Sequence, residues 1–234
     1  MSALGHYLEE AGIPSVAIAL IRPQAERTRP PRALWVPFEL GRPIGPPRDP
    51  AFQRRVILAA LGLLSAPKTD SLIVDFPDDD PRETPDRDWR LPIPASLDRN
   101  LDTLEEELRA LAPAYAQSCT QRERSTVGLS GLSPAACGEF MGAWLRGEAP
   151  ESPVPGMSPL LALRFAADDL KAFALEAALA GGGKPSSRQL GDWLWDRTTL
   201  AVALDTIRRR LMVGDDERGK LVAPFFVPAL RVKP

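Results

Sequence analysis

The chain of 234 residues is poor in the side chains that build metal sites and disulfide frameworks. Its single histidine, His6, excludes a multi-histidine metal site within one chain. Its two cysteines, Cys119 and Cys137, are far apart and lack CxxC spacing, which is typical of a reduced compartment. We therefore predict a cytoplasmic protein. The residue types do not identify a cofactor.

A strong charge of one sign and long apolar runs are also absent. The 31 acidic residues nearly cancel the 29 basic ones, so no large positive field attracts nucleic acid or an anionic membrane. The longest apolar runs, such as residues 56–64, are too short to cross a bilayer. Glu9 and Glu10 stand where a signal peptide would need basic and then apolar residues. We expect neither a nucleic-acid partner nor a membrane partner.

What the chain does contain is enough apolar sequence for a substantial core, in one large domain or two small ones. Residues 1–80 show the pattern of a small α/β unit. Helical spacing, aliphatic runs and a helix start at Asp49 and Pro50 predict the order helix, strand, strand, helix and a further short strand, over residues 1–11, 15–21, 33–38, 49–64 and 71–74. We expect a mostly parallel sheet flanked by helices.

The rest of the chain predicts a helical region. Residues 81–96 are rich in proline, aspartate and arginine and are typical of a surface connection. Residues 97–234 then carry apolar residues at helical spacing, with predicted helices over residues 97–117, 133–147, 160–180, 188–195 and 198–213. Pro113 is expected to kink or end the first of these helices. The predicted fold class is α/β followed by an α-helical region.

The best candidate site is the segment ELGRPIGPP, which begins at Glu39 between the second strand and the following helix. In α/β proteins, ligands bind beyond the carboxyl ends of the strands. Glu39 and Arg42 offer one carboxylate and one guanidinium, which a zwitterionic, amino-acid-like substrate requires. The alternative is that they pair with each other, or Glu39 with Arg48, and only hold the loop.

Neighbouring residues extend this predicted substrate-binding segment. Gly41 and Gly45 lie within it, and Arg54 and Arg55 follow in the first turns of the next helix. Cations at that position oppose the helix dipole, so the two arginines either extend the site or bind the acidic connection. The three aspartates at positions 78–80 suit a hard cation or a solvated loop.

Three segments carry a resemblance to a known family. They are LEEAGIPSVAIALI, PPRALWVPFELGRPIGPP and DPAFQRRVILAALGLL, within about residues 1–65. They resemble the C-terminal part of component B, or selenoprotein B, of the glycine, sarcosine, betaine and D-proline reductases. The resemblance implies a ligand-facing 39–48 loop and an oxidoreductase acting on a small amino-acid-like substrate. The cysteine or selenocysteine segment of that family is not in this sequence, which implies a partner subunit that supplies the redox nucleophile.

Other hypotheses remain open at this stage. Cys119 lies near Arg122 and Arg124, which favours a catalytic thiolate, whereas its use as a small apolar residue is the simpler interpretation. A non-catalytic binding or scaffold subunit is the alternative function. Residues 185–212, with the basic run 208–210, also fit a helix-turn-helix DNA-binding regulator, although Trp193 and Trp195 favour a core.

The last candidate binding site is a polar segment with glycines at residues 124–133. Backbone amides in such a segment can hold an anion, but it lacks the lysine and the spacing of a phosphate loop. We interpret it as the end of one helix and the start of the next.

Overall fold

The computed structural model describes residues 2–67, 70–81, 85–90 and 99–232. The chain divides into two compact units, Met1–Thr84 and Pro85–Pro234, and each is described by itself. Much of the predicted connection over residues 81–96, and the predicted helix start at Leu97, fall outside the described residues. None of the helices in the described part combines the length and the apolar character needed to cross a membrane.

The first unit alternates helices and strands. In chain order its elements are α1 (Ser2–Glu10), β1 (Ala17–Ala19), α2 (Arg22–Thr28), β2 (Arg32–Trp35), α3 (Pro50–Gly62) and β3 (Leu72–Asp75). The strands form a parallel sheet in the order β1-β2-β3, with Ala17 opposite Ala33 and Ala33 opposite Ile73. The predicted α/β unit with a parallel sheet is therefore confirmed.

The core of this unit lies between the sheet and α3. Leu34, Val36 and Phe38 alternate along the chain and pack with Val56 of α3, since alternate strand residues face the same side. Phe38 also stacks at a tilt on Phe52, with ring centroids 5.5 Å apart. The start of α3 is the predicted one, because the Asp49 side chain accepts a hydrogen bond from the amide of Phe52 at 3.0 Å.

A buried ion pair anchors α1 to the sheet. Arg32 of β2 donates to the carboxylate of Glu9, and both side chains are over nine-tenths buried. Glu9 also accepts from the amide of Ser15 at 2.7 Å, and Arg32 donates to the carbonyl of Ala66 at 2.9 Å. Because both charges are satisfied, the pair is tolerated in the core.

The second unit is helical, as predicted. Its helices are α4 (Leu104–Arg122), α5 (Pro134–Leu145), α6 (Pro159–Ala178), α7 (Ser187–Arg197), α8 (Thr199–Val213) and α9 (Glu217–Val222). The central helix α6 packs against α4 and α5 and buries Leu163, Leu170 and Phe173. Serine caps begin α5 at Ser133 and α7 at Ser186.

One alternative of the helical prediction is wrong: Pro113 does not end α4, which continues past it to Arg122. Proline removes only one intrahelical hydrogen bond, and the buried Leu108 and Leu111 hold this stretch of α4 in the core. The buried face of α5 includes Cys137, Phe140 and Met141, and Trp144 and Leu145 pack half-buried against the same core.

Candidate functional site

The carboxyl ends of the three strands meet at one edge of the sheet. Arg22, which follows β1, forms an ion pair with Asp75 at the end of β3. The guanidinium of Arg22 also lies over the ring of Trp35 at the end of β2, with its Cζ 5.1 Å from the ring centroid. The buried Nε1 of Trp35 has no hydrogen-bond acceptor within the described residues. This edge therefore carries an ion pair, an aromatic ring and an indole donor that has no acceptor in the described residues.

The 39–48 loop extends from this edge after β2. Two successive turns shape it, because the amide of Arg42 donates to the carbonyl of Glu39 and the amide of Gly45 donates to the carbonyl of Arg42, each at 3.0 Å. Gly41 and Gly45 have φ angles of +90° and +89°, which glycine adopts without strain. The turns leave the side chains of Glu39 and Arg42 half-buried rather than fully solvated.

Neither of these two charged side chains has an ion-pair partner among the described residues. In the described part of the chain, Glu39 and Arg42 have no ion pair with each other, and Glu39 has none with Arg48. The purely structural alternative for the loop is therefore not what the structure contains. A carboxylate and a guanidinium stand free near the end of the central strand, which is the arrangement an amino-acid-like ligand would need.

The two loop glycines allow a matched test of what holds the loop. Gly41→Ala is expected to cost about 1 kcal/mol, because its positive φ strains a side chain although space is open around it. Gly45→Ala should cost about twice as much, since its Cβ would also lie 2.5 Å from the ring of Phe52. Denaturant unfolding of both variants measures the difference. Equal losses would contradict the contact with Phe52.

The paired arginines of α3 differ in their surroundings. Arg55 forms an ion pair with Asp78 and lies over the rings of Phe52 and Phe76, with its Cζ 5.5 and 5.9 Å from their centroids. It therefore binds the acidic connection, the second of the two interpretations above. Arg54 is exposed and has no side-chain partner among the described residues. Only Arg54 remains available to extend the ligand site.

The aspartates after β3 do not assemble a metal site in the described residues. No group of three histidine, cysteine, aspartate or glutamate side chains there is placed to hold a metal ion. Asp78 is bound to Arg55, and Asp80 is buried at 2% exposure. Asp78 and Asp80 thus contribute to the packing of the first unit, whereas Asp79 is exposed.

Cys119, the predicted nucleophile, belongs to the helical unit. Its Sγ lies 4.0 Å from Oε2 of Glu176, and Arg122, the expected activating cation, lies 3.9 Å from the other oxygen of that carboxylate. Cys137 is fully buried beside Ser130, and both cysteines are free thiols. Burial raises the pKa of the Cys137 thiol. A catalytic role for Cys119 stays a prediction, and no cysteine pair is formed.

The polar segment at residues 124–133 binds a carboxylate of the protein itself, that of Asp169, rather than an external anion. The amides of Gly128 and Leu129 donate to Oδ1 of Asp169 at 2.8 and 2.9 Å, and the amide of Ser130 donates to Oδ2 at 2.8 Å. Sequence reasoning identified the amide donors and missed their acceptor. The sequence signal for this acceptor was Asp169, an aspartate on the apolar face of α6.

Residues 185–212 form the helices α7 and α8, and only Thr198 separates them, whereas a helix-turn-helix motif has a turn of three or four residues. The DNA-binding regulator stays a prediction that this spacing does not favour. The basic run is also engaged within the unit: Arg208 and Arg209 bind Asp205 at 2.8 and 2.7 Å, and Arg210 donates to backbone carbonyls.

No family model, no curated protein and no solved structure matches this chain. The resemblance to component B of the amino-acid reductases therefore rests on the three quoted segments. In the chain's own geometry, the feature best suited to binding a ligand is the pair of loop charges, Glu39 and Arg42, that lack ion-pair partners among the described residues.

Proposed function

We propose that the first unit binds a small amino-acid-like substrate at the 39–48 loop. The chain would act as a subunit of an oxidoreductase of the glycine, sarcosine, betaine and D-proline reductase type. In this proposal the guanidinium of Arg42 holds the substrate carboxylate, and the carboxylate of Glu39 holds its amine. A partner subunit supplies the redox nucleophile.

One observation carries the proposal: Glu39 and Arg42 are opposite charges without ion-pair partners in the described residues, beyond the carboxyl end of the central parallel strand. Half-buried charges are costly unless something pairs with them, and a zwitterion satisfies both. The unused indole donor of Trp35 at the same edge adds a further group that a ligand could satisfy. The order of the motifs around the loop, which resembles that of component B, points to the same substrate class.

Replacing Arg42 with alanine is expected to weaken binding of the preferred amino acid by about tenfold or more, because a charge-assisted hydrogen bond to the carboxylate is lost. Isothermal titration of the full chain with glycine, sarcosine, betaine and proline measures the effect. Arg27→Ala is the matched control, since Arg27 is exposed on α2 and its side chain forms no hydrogen bond or ion pair in the described residues.

The pattern across ligands sharpens the test. Glu39→Gln should weaken the binding of glycine and sarcosine, whose amines donate hydrogen bonds, more than the binding of betaine, whose ammonium is attracted only by charge. If the wild-type chain binds none of the four compounds, or if Arg42→Ala binds them as the wild type does, the loop is not the site. Binding without turnover in the presence of the partner would favour the non-catalytic scaffold subunit.

A further inference from the structure

A cavity of about 380 Å³ opens between α4 and α5 in the second unit. Leu108 and Tyr115 of α4 line it, and it reaches inward to Phe173 of α6. Because Phe173 is only 2% exposed, the cavity extends past the two outer helices to the helix beneath them. A concave, mainly apolar space of this volume is the usual form of a small-molecule site in proteins.

Small side chains create this space. The residues that face it from the two helices include Ala112 of α4 and Pro134, Ala135 and Gly138 of α5. Packed helices normally fill the space between them with side chains, so that few voids larger than a water molecule remain. Ala112 and Ala135 are exposed, so they lie at the mouth of the cavity rather than in the core.

Two aromatic side chains in mutual contact line the cavity. The rings of Tyr115 and Phe173 pack at a tilt, with their centroids 4.9 Å apart. The hydroxyl of Ser125 donates to Glu176 at 2.8 Å, so it accepts from the Tyr115 hydroxyl 2.9 Å away, and this hydrogen bond holds the tyrosine ring in place. Aromatic rings pack favourably on other rings, edge to face or offset. The cavity therefore suits a ligand with a ring.

Two carboxylates lie at the same end of the cavity, one on each helix. A Cβ at Gly138 would lie 2.5 Å from Cδ1 of Leu108, so these residues face each other across the helix pair. Glu139 follows Gly138 on α5, and Glu105 lies one turn before Leu108 on α4. Arg146, after the end of α5, is within electrostatic reach of Glu105. The two helices therefore run antiparallel, which brings both glutamates to one end.

The charges at the rim favour a cation. Neither Glu105 nor Glu139 forms a hydrogen bond or an ion pair in the part of the chain that the structure describes. Arg146 forms its ion pair with Glu148 instead, at 2.7 Å. Arg109 is exposed at the same rim, so the described residues that line the cavity carry two negative charges and one positive charge. A ligand with one positive charge balances them.

We infer that this cavity binds a small organic cation, an amine with an aromatic body. The ring of the ligand packs against Tyr115 and Phe173, and its ammonium group faces the carboxylates of Glu105 and Glu139. The site gives the helical unit a ligand of its own, and it does not depend on substrate binding at the 39–48 loop.

Three probes of similar shape test the inference: phenethylamine, phenethyl alcohol and phenylacetate, which are positive, neutral and negative near neutral pH. An NMR titration of the full chain follows the backbone amides of Ala112, Ala135 and Gly138. The amine should shift these amides to saturation and bind about fivefold more tightly than the alcohol, and the acid should bind most weakly. A preference for the acid would show that Arg109 and the start of α5 set the charge preference. That result, or no saturable shift with any probe, overturns the inference.

Two variants with matched controls locate the binding. Ala112→Leu fills the cavity from its mouth and should weaken amine binding about tenfold, whereas Ala110→Leu, on the same helix but outside the cavity, should not. Glu105→Gln combined with Glu139→Gln should lower the affinity for the amine to that for the alcohol, and the exposed Glu106→Gln should leave both unchanged. Wild-type binding of the amine by either the filled or the neutralised variant overturns the inference. Both glutamates are exposed, so their replacement leaves the core intact.

Discussion

Asp169→Ala is expected to lower the free energy of unfolding of the helical unit by roughly 3–5 kcal/mol. Asp169 is 1% exposed on α6 and accepts hydrogen bonds from the amides of Gly128, Leu129 and Ser130 and from the hydroxyl of Ser130. The substitution leaves these donors without an acceptor. The segment that joins α4 to α5 then loses its anchor.

Urea unfolding followed by circular dichroism measures the loss, and the adjacent residue provides the control. Asp168 is on the same helix but forms a partly exposed ion pair with Lys171 at 2.7 Å. Asp168→Ala should cost less than about 1 kcal/mol, as exposed ion pairs usually do. Similar losses in the two variants would show that the carboxylate of Asp169 does not organise the segment.

The pH dependence of Asp169 has a definite sign. Burial by itself raises the pKa of this carboxyl, but hydrogen bonds from Ser130, Gly128 and Leu129 outweigh burial and hold the pKa below its usual value. A depressed folded-state pKa contributes stability above the unfolded pKa, and this stability is lost as pH falls toward the folded pKa. Asp169→Asn should therefore cost most near neutral pH, and its difference from the wild type should shrink below about pH 4.

Glu107→Ala is expected to destabilise the same unit by roughly 2–4 kcal/mol. Glu107 lies on α4 with 1% exposure, and its carboxylate accepts from the amides of Thr199 and Leu200, at 2.6 and 2.9 Å, in the first turn of α8. Those amides have no partner within the helix, and the carboxylate also complements the helix dipole. The exposed neighbour Glu106 provides the control, and Glu106→Ala should change stability little.

A pH series distinguishes Glu107 from Asp169. Burial raises the pKa of Glu107, and the hydrogen bonds from Thr199 and Leu200 offset only part of that effect. A raised folded-state carboxyl pKa means that stability declines as pH rises from the unfolded pKa through the folded one. Glu107→Gln should therefore cost most in acid and least above the folded pKa, the reverse of Asp169→Asn. If the stability losses of the two variants changed with pH in the same direction, the two pKa shifts could not have opposite signs.

Local signals were sufficient for most of the elements. Asp49 and Ser133 were recognisable as helix starts because a cap acts on amides only two or three residues away. The parallel sheet followed from short aliphatic runs separated by helical segments. Pro113 misled the prediction because buried leucines of α4, which the chain meets only after folding, outweigh one missing hydrogen bond.

Partners distant in sequence were beyond such reasoning. Arg54 and Arg55 are equivalent in sequence, yet only Arg55 has an acidic partner, Asp78, among the described residues. Cys119 lies against Glu176, a carboxylate distant in sequence that also faces Arg122. Each outcome depends on which side chains the fold brings within about 4 Å, a distance at which charges interact strongly.

By itself the sequence determined an α/β unit followed by helices and a loop carrying Glu39 and Arg42 after the second strand. Periodicity and capping act over a few residues, so they are legible in the chain. Only the tertiary structure decided that those two charges lack ion-pair partners in the described residues and that Asp169 occupies the amides before α5. Those outcomes depend on contacts between distant segments, because packing, not local preference, selects partners.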